Sequence, residues 1–567
     1  MKYDGPKTPL ALQLDEQKYQ DPNEGFEGKV HRIAASLADD ERHRRALKRI
    51  IGNQYFLPAG RVQAAVGSIR QTTAFNCFVM GTIPDSMEGI FEMLKEAALT
   101  MQMGGGIGYD FSTIRPKGDR VKSLNSDASG PLSFMYVWDA MCRTIMSAGS
   151  RRGAMMGTMR IDHPDILEFI NAKTNTDNLT NFNLSLLVTD EFMTAVLHDE
   201  TFDLRFEGKV YRTIRARTLW DAAMRATWDW AEPGVLYVDR MNNENNLWYC
   251  ETISATNPCG EQPLPPYGAC LLGSFNWVKY VKHGSGGWYF DLQHLLQDVP
   301  AVVRAMDNVI DETDFPLEKQ AEEARNKRRM GLGFTGVANA MARLGLTYGT
   351  KQALEFYDEV ARAFTNKAYI ASAMLAAEKG AFPLFDADKY CESLFIKRLD
   401  KETQDVIRRY GIRNSHLTSI APCGTISMTA DNVSSSIEPV FAHEYVSTIR
   451  IDDVPTDVNV KDYALRTWGI RSITADELSV DAHVDTLCAA ARWSDSAVSK
   501  TCNVGSNVTF AEFKDVYIKA WQGGAKGCTT FRLDGKRFGV RRVVEQEEVE
   551  EGAACYIDPA TGKKSCE

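Results

Sequence analysis

Asn257-Pro258-Cys259-Gly260-Glu261, continued by Gln262-Pro263-Leu264-Pro265-Pro266, is the stretch on which fold and chemistry turn. Prolines on both sides remove backbone donors and fix φ, so the segment reads as a stiff loop and not as a helix. In an extended conformation side chains two apart point the same way. That predicts one shared face for Asn257, Cys259 and Glu261: an amide, a thiol and a carboxylate. Gly260 lets another group approach the backbone closely. Cys270 follows soon enough to return beside Cys259 if the loop is a hairpin-like finger. A proline-rich turn around a buried cysteine satisfies the same residues, so spacing alone names no reaction.

Working outward, Met87, Ile90, Phe91, Leu94 and Ala97 are spaced for the buried face of a helix that Asp85-Ser86 caps and Gly104-Gly105-Gly106 ends. A second apolar helix is expected from Pro131 through Phe134, Met135, Trp138, Met141 and Ile145 to Gly149. Residues 1–50 read as a charged helical approach segment. The middle of the chain alternates helices with short β-rich segments such as Asn183–Val188, in which apolar and polar residues alternate, and this predicts an α/β architecture. Gly331-Leu332-Gly333-Phe334-Thr335-Gly336 fits G-x-G-x-x-G, but Arg325–Arg329 before it is no buried strand, so a dinucleotide site is not expected. After Arg542 the composition shifts to an acidic linker with Glu545, Glu547, Glu548, Glu550 and Glu551, leading to Cys555 and Cys566.

The chain has 567 residues, more than the roughly 250–300 that one hydrophobic core accommodates, so a very large domain with appendages or several domains is expected. With 65 Lys+Arg against 75 Asp+Glu, the balance argues against a nucleic-acid-binding surface. No apolar run approaches the roughly 18 residues of a membrane span. Twelve cysteines with no Cys-x-x-Cys exclude a disulfide-stapled scaffold and a zinc ribbon. Together these features predict a soluble, cytoplasmic protein.

The finger motif resembles the active-site loop of the ribonucleotide reductase catalytic subunit. Further matches appear in that family's chain order: Asn76-Cys77, Asp85-Ser86, Gly104 to Gly108 with Ile114-Arg115-Pro116, and Arg151-Arg152-Gly153-Ala154. Beyond the finger come Arg328-Arg329-Met330-Gly331-Leu332-Gly333, Ala421-Pro422-Cys423-Gly424-Thr425-Ile426-Ser427 and Ser436-Ile437-Glu438-Pro439. The resemblance implies a ten-stranded α/β barrel of two five-stranded halves over residues 51–542, with the finger in its centre and effector and dimer helices at 85–148. The flexible acidic tail would be residues 543–567. It also implies that Cys259 carries a thiyl radical within a sheathed cavity, that Glu261 is the base at the ribose 3′-hydroxyl, and that Asn257 orients substrate hydroxyls. Cys77 and Cys270 would be the dithiol that closes to a disulfide, and Cys555 and Cys566 the shuttle that resets it. Asn76 and the loop Pro422, Cys423, Gly424, Thr425, Ile426 and Ser427 would hold the ribonucleotide, a diphosphate by likeness.

The family divides by radical source. No Tyr-Tyr pair exists to relay a radical from a partner subunit; Lys526-Gly527-Cys528-Thr529-Thr530-Phe531 stands in the corresponding region. Nor does the chain carry a C-terminal glycyl radical loop. The resemblance therefore points to the adenosylcobalamin-dependent branch, ahead of a catalytic subunit needing a separate radical generator or an inactive nucleotide sensor. It further implies a homodimer, a thioredoxin- or glutaredoxin-like reductant, and a deoxynucleotide effector read by Asp85 and Ser86 with Arg115 and Lys122 on its phosphates. The matching core begins by about residue 50, so no separate nucleotide on-off domain is expected.

Overall fold

The computed structural model describes residues 3–121, 125–145, 154–174, 178–451, 454–532, 536, 541–543, 555–557 and 564–566. Lys122, Arg151, Arg152 and Gly153 lie outside the described residues. At the N-terminus, helices α1 (Pro9–Tyr19) and α2 (Gly25–Leu37) follow a Thr8 cap whose hydroxyl accepts the Ala11 N–H. Val30, Ile33, Leu37 and Leu47 of this region are buried in the same hydrophobic cluster as the central strands. Strand β1 (Phe56–Pro58) leads into the short helix α3 (Gly60–Ala65).

Five strands then run parallel: β2 (Cys77–Val79), β3 (Gly106–Asp110), β4 (Met155–Arg160), β5 (Phe182–Val188) and β6 (Gly234–Tyr237). Their connections carry helices, among them α4 (Met87–Gln102) and α5 (Pro131–Thr144), as parallel pairing requires. In β5 only Asn183 is exposed, and the polar Ser185 is buried with its apolar neighbours. The alternation read from the sequence gives way because this sheet is covered on both faces.

Strands β7 (Ala269–Cys270) and β8 (Leu272–Asn276) follow the finger. Next come β9 (Gly331–Thr335), the hairpin β10 (Glu444–Ile451) and β11 (Val454–Lys461), then β12 (Thr501–Val504) and β13 (Gly527–Arg532). The larger sheet has the order β7-β2-β3-β4-β5-β6-β13-β12, and a second sheet the order β1-β8-β9. Parallel bridges join Leu332 to Thr418 and Ile420 to Val498. Gly331–Thr335 is thus itself a buried strand, and its glycines serve close strand packing: a Cβ on Gly333 would meet the Ser419 carbonyl at 2.3 Å. Among the described residues no helix is long and apolar enough to cross a membrane.

Two helices differ from expectation. In α4 the Ser86 hydroxyl caps the Gly89 N–H as expected, but the buried face is Ile90, Met93, Ala97 and Met101. Met87 and Phe91 are 58% and 46% exposed, so the apolar residues of this helix are distributed over two faces, only one of which the core covers. Helix α5 ends at Thr144, not Gly149, because Ile145 turns to extended backbone.

A buried charge cluster ties the base of the finger to the entry of β9. The Glu251 side chain, 2% exposed, pairs with Arg329 and with Lys327 (2.9 Å), and Glu323 accepts from both cations (2.6 and 3.0 Å). Burial raises the Glu251 carboxyl, but Arg329 and Lys327 outweigh it and hold the group below its ordinary value. A carboxylate depressed in the native state stabilises the fold above its unfolded value of about 4.3, and that contribution is lost as pH falls through the lower native value. Replacing Glu251 by Gln leaves buried cations undercompensated and is expected to cost about 3–5 kcal/mol in urea unfolding at neutral pH. The difference between variant and parent should shrink below about pH 4; an unchanged midpoint at neutral pH would refute this role.

A thiol-lined candidate active site

The finger begins with Ala255–Thr256 paired antiparallel to Pro263–Leu264. Between them the chain makes a tight turn and not the extended run expected. The Gly260 N–H donates to the Asn257 carbonyl at 3.0 Å, and Gly260 sits at φ +81°, a conformation that favours glycine. The Asn257 side-chain oxygen accepts the Gln262 N–H at 3.0 Å and closes the turn from inside. Backbone donors locked within a turn take precedence over side-chain alternation, so the same-face argument fails in its geometry. Its outcome survives: Asn257, Cys259 and Glu261 all line one cavity of about 610 Å³.

Neighbouring strands fix the finger in place. Asn183 donates to the Pro258 carbonyl (2.8 Å), while Ala497 N–H and Ser419 hydroxyl both donate to the Glu261 carbonyl (2.9 Å each). The Thr256 carbonyl passes over Gly108 so closely that a Cβ there would lie 2.0 Å away. Asn257 and Glu261 are buried, but Cys259 is exposed to the cavity instead of being sheathed. At the tip of the turn its thiol faces the open space, whereas the side chains before and after it turn inward.

Cys77 on β2 and Cys270 on β7 are direct register partners across an antiparallel pair. The two are not joined in a disulfide, and both are buried in a small apolar cluster with Ala59, Val79, Ala255, Leu264, Leu272 and Ala421. Burial pushes the Cys270 thiol well up from its ordinary range, and the adjacent Cys77, Glu261 and Cys259 act in the same direction. Cys270 is therefore a protonated thiol at neutral pH. Beside it the Asn76 N–H donates to the Cys270 carbonyl (3.0 Å). The side-chain oxygen of Asn76 and the amide nitrogen of Asn257 are buried with no hydrogen-bond partner in the protein. Buried polar atoms are rarely left so, and both belong to residues lining the cavity.

The opposite wall is the loop before and into helix α6 (Gly424–Thr429). Pro422, Gly424 and Thr425 are exposed along the cavity. The other three residues of the expected set are buried, though Cys423 and Ile426 also border this cavity and Ser427 the one behind it. Cys423 is buried 3.1 Å from the Ser274 hydroxyl, and burial raises its thiol. The Ser427 hydroxyl donates to the Gly424 carbonyl (3.0 Å), and Ile426 packs in an apolar cluster with Tyr19. Behind the loop a second cavity of about 530 Å³ shares Pro422 and Gly424 with the first. Ser434, Ser436, Asn503, Thr529 and Thr530 are among its lining residues, and the buried Ser436 hydroxyl has no partner.

The remaining expected residues lie elsewhere. Arg115 donates to the Asp85 carboxylate through Nε (2.7 Å) and through its own N–H (3.2 Å), beside the Ser86 cap of α4. Asp85 and Arg115 are thus brought together as an ion pair, and neither lines the thiol cavity. In the tail, Cys555–Ile557 pairs antiparallel with Lys564–Cys566 so that the backbones of Cys555 and Cys566 stand directly opposite. Sequence reasoning missed Leu14, Lys18, Tyr19 and Arg61, which also line the cavity. The one signal for the first pair was their i, i+4 spacing on a single face of α1.

Comparison with known proteins accords with this geometry. The chain is 37% identical over 82% of its length to the vitamin B12-dependent ribonucleoside-diphosphate reductase of Thermoplasma acidophilum, covering 62% of that protein. It is 34% identical over 82% of its length to a protein of the same name from Mycobacterium tuberculosis, covering 68% of it. To the vitamin B12-dependent ribonucleotide reductase of Streptomyces clavuligerus it is 28% identical over 93% of its length, covering 64%. The chain thus spans about two thirds of the length of these relatives. The family described as ribonucleotide reductase, barrel domain, matches residues 75–461 and 470–531, a span that takes in the finger, both buried thiols and the loop facing them. On that match the chain belongs to the ribonucleotide reductase barrel-domain family.

Proposed function

We propose that this chain reduces ribonucleoside diphosphates to 2′-deoxyribonucleotides by thiyl-radical chemistry, with Cys259 as the radical carrier. The observation that carries the reading is one cavity reached by an exposed thiol and backed by two buried thiols in direct register. We read the two sheets as parts of one ten-stranded barrel: residues 269–276 belong to both sheets through β7 and β8, and the bridges Leu332–Thr418 and Ile420–Val498 lead from β9 towards β12.

Each group has one task in this scheme. Cys259, as a thiyl, takes the 3′-hydrogen of the ribose. Glu261 accepts the proton of the 3′-hydroxyl, and the amide of Asn257 and carbonyl of Asn76 satisfy their buried atoms on the ribose hydroxyls. The 2′-hydroxyl leaves as water with a proton from the dithiol. Cys77 and Cys270 supply two electrons and become a disulfide, their second hydrogen goes to C2′, and Cys259 returns its hydrogen to C3′ as Glu261 returns its proton to O3′. Its apolar surroundings keep the Cys270 thiol protonated until that step. Pro422, Gly424 and Thr425 border the phosphate end of the nucleotide.

Adenosylcobalamin, when bound, supplies the radical equivalent that oxidises Cys259. The second cavity fits a nucleoside-bearing cofactor: Ser436, Asn503 and Thr529 offer hydroxyl and amide groups, and the Ser436 hydroxyl is buried without a partner. The uncovered apolar residues Met87 and Phe91 of α4 and Tyr136 of α5 suit a homodimer, with Asp85, Ser86 and Arg115 at its edge for a deoxynucleotide effector. Cys555 and Cys566, opposed in the tail, suit a dithiol that passes electrons from a thioredoxin- or glutaredoxin-like protein to Cys77 and Cys270.

Purified chain with adenosylcobalamin, a dithiol and a ribonucleoside diphosphate is expected to form deoxyribonucleotide with no second subunit; turnover that required a metal-bearing partner subunit would overturn the cofactor reading. Cys259→Ser should lower kcat by on the order of 10³-fold or more while the substrate Kd stays within a few-fold. With the external dithiol omitted, the parent should yield about one product per Cys77–Cys270 pair, rising only if the tail pair contributes. Cys270→Ser should abolish that single turnover, and a full burst from this variant would remove the pair from the mechanism.

A further inference from the structure

The cavity has a wall that the chemistry above does not use. Leu14, Lys18 and Tyr19 of α1 line it together with Gly424 and Thr425. Leu14 is buried with Met428 in one apolar cluster, and Tyr19 with Cys423 and Ile426 in another. Those contacts lie on both flanks of the loop and first turn of α6, so Lys18, one turn on from Leu14 and adjacent to Tyr19, is carried over the loop's exposed backbone.

Helix α1 is firmly held there. The N–H groups of Lys7 and Thr8 donate to the Asp431 carboxylate at 2.9 and 2.8 Å. Asp15 is paired with the buried Lys29, which also donates to Gln63 of α3 (2.9 Å), and Gln20 donates to Asp15 (2.7 Å). The Lys18 carbonyl accepts from Arg70 (3.1 Å). Fixed anchors on both sides hold the helix that carries Lys18, so little backbone ordering is needed for it to act on a ligand.

Charge in the cavity is sparse. Among its described lining residues only Lys18, Arg61 and Glu261 are charged. Arg61 packs its guanidinium against Gly104, just before β3 and beside Asn76. Lys18 is thus the cation at the loop end of the cavity, where small residues and backbone offer no positive charge of their own.

We propose that Lys18 is a phosphate-recognition residue of the substrate site, its ammonium paired with the diphosphate of the ribonucleotide across the loop 422–425. The assignment rests on the ribonucleotide reading above and adds the N-terminal helix to the substrate site. A lysine recognises phosphate as a point charge, so Arg should substitute for it and Gln should not.

Steady-state kinetics of the full chain with adenosylcobalamin and a dithiol tests this. Lys18→Gln should raise KM for a ribonucleoside diphosphate about tenfold or more with kcat within twofold, and Lys18→Glu should raise it further. Lys18→Arg should stay within threefold of the parent, and added salt should weaken kcat/KM less in Lys18→Gln than in the parent. A second arm measures Kd for the diphosphate and for the matching nucleoside, with saturating deoxynucleotide to fill any effector site. Lys18→Gln should lose affinity for the diphosphate only. A diphosphate KM and Kd within twofold of the parent in Lys18→Gln would overturn the proposal. A parent without turnover would instead count against the reductase reading, and the Kd arm would still decide the role of Lys18.

Discussion

The register between β2 and β7 is the constraint on which the site depends. Cys77 opposes Cys270, and Phe78 opposes Ala269. Side chains alternate across a strand, so a slip of one residue would turn a thiol to the opposite face and set Phe78 in its place. The other neighbour of β2 enforces the same alignment: Gly106 lies beside Cys77, and a Cβ there would come within 2.9 Å of the sulfur. Two residues along, Gly108 leaves room for the finger backbone. One short strand with alternate glycines thus makes space both for the Cys77 thiol and for the loop that carries Cys259.

Electrostatics divides the three thiols into two kinds. Cys270 is enclosed in an apolar cluster, and burial, the neighbouring thiol and the Glu261 carboxyl all oppose its ionisation. A thiol held protonated can deliver a proton with its electrons, which loss of a hydroxyl as water requires. Cys259 is held differently, at the exposed tip of a turn whose flanking carbonyls are bound by Asn183, Ala497 and Ser419. Its position is set by backbone hydrogen bonds to three separate parts of the chain, and its reach into the cavity by the inward turn of Asn257 and Glu261.

Much of this was legible because the decisive features are local. Proline on both sides of Cys259 announces a stiff loop in any context, and the ordered motifs single out Cys77, Cys259 and Cys270, which the fold brings together. The errors arise where local pattern and tertiary environment compete. The finger was read as extended, yet Gly260 at positive φ lets the chain close a hydrogen-bonded turn. Alternation was read into Asn183–Val188, yet a parallel strand covered on both faces buries Ser185 as well. Met87 and Phe91 were assigned to the buried face of α4, since apolar spacing does not distinguish a residue packed against the core from one left for another surface. The role of α1 was illegible for a related reason: its sequence Pro9–Tyr19 has no strong apolar stripe, and its anchors are the side chains of Asp431, Lys29 and Gln63, distant along the chain.

The loop at 422–424 has a further consequence for how two chemistries coexist. It borders both cavities, and Pro422 and Gly424 belong to the walls of each. Proline brings no N–H into either space, and glycine brings no side chain; no other atom lies within 4 Å of where a Cβ on Gly424 would stand. The partition is therefore close to a single thickness of backbone. Cys423, the residue between, is buried with its sulfur against Ser274 and the Phe334 carbonyl, which pins the partition to the strands beneath. On the proposed reading, a thin, pinned wall would let a bound nucleotide and a reactive group stand close together without sharing solvent, and small residues in the loop are what such a wall requires. The positive charge such a site still needs must then come from outside the loop, and the N-terminal helix is the element that the packing of Leu14 and Tyr19 brings to that place.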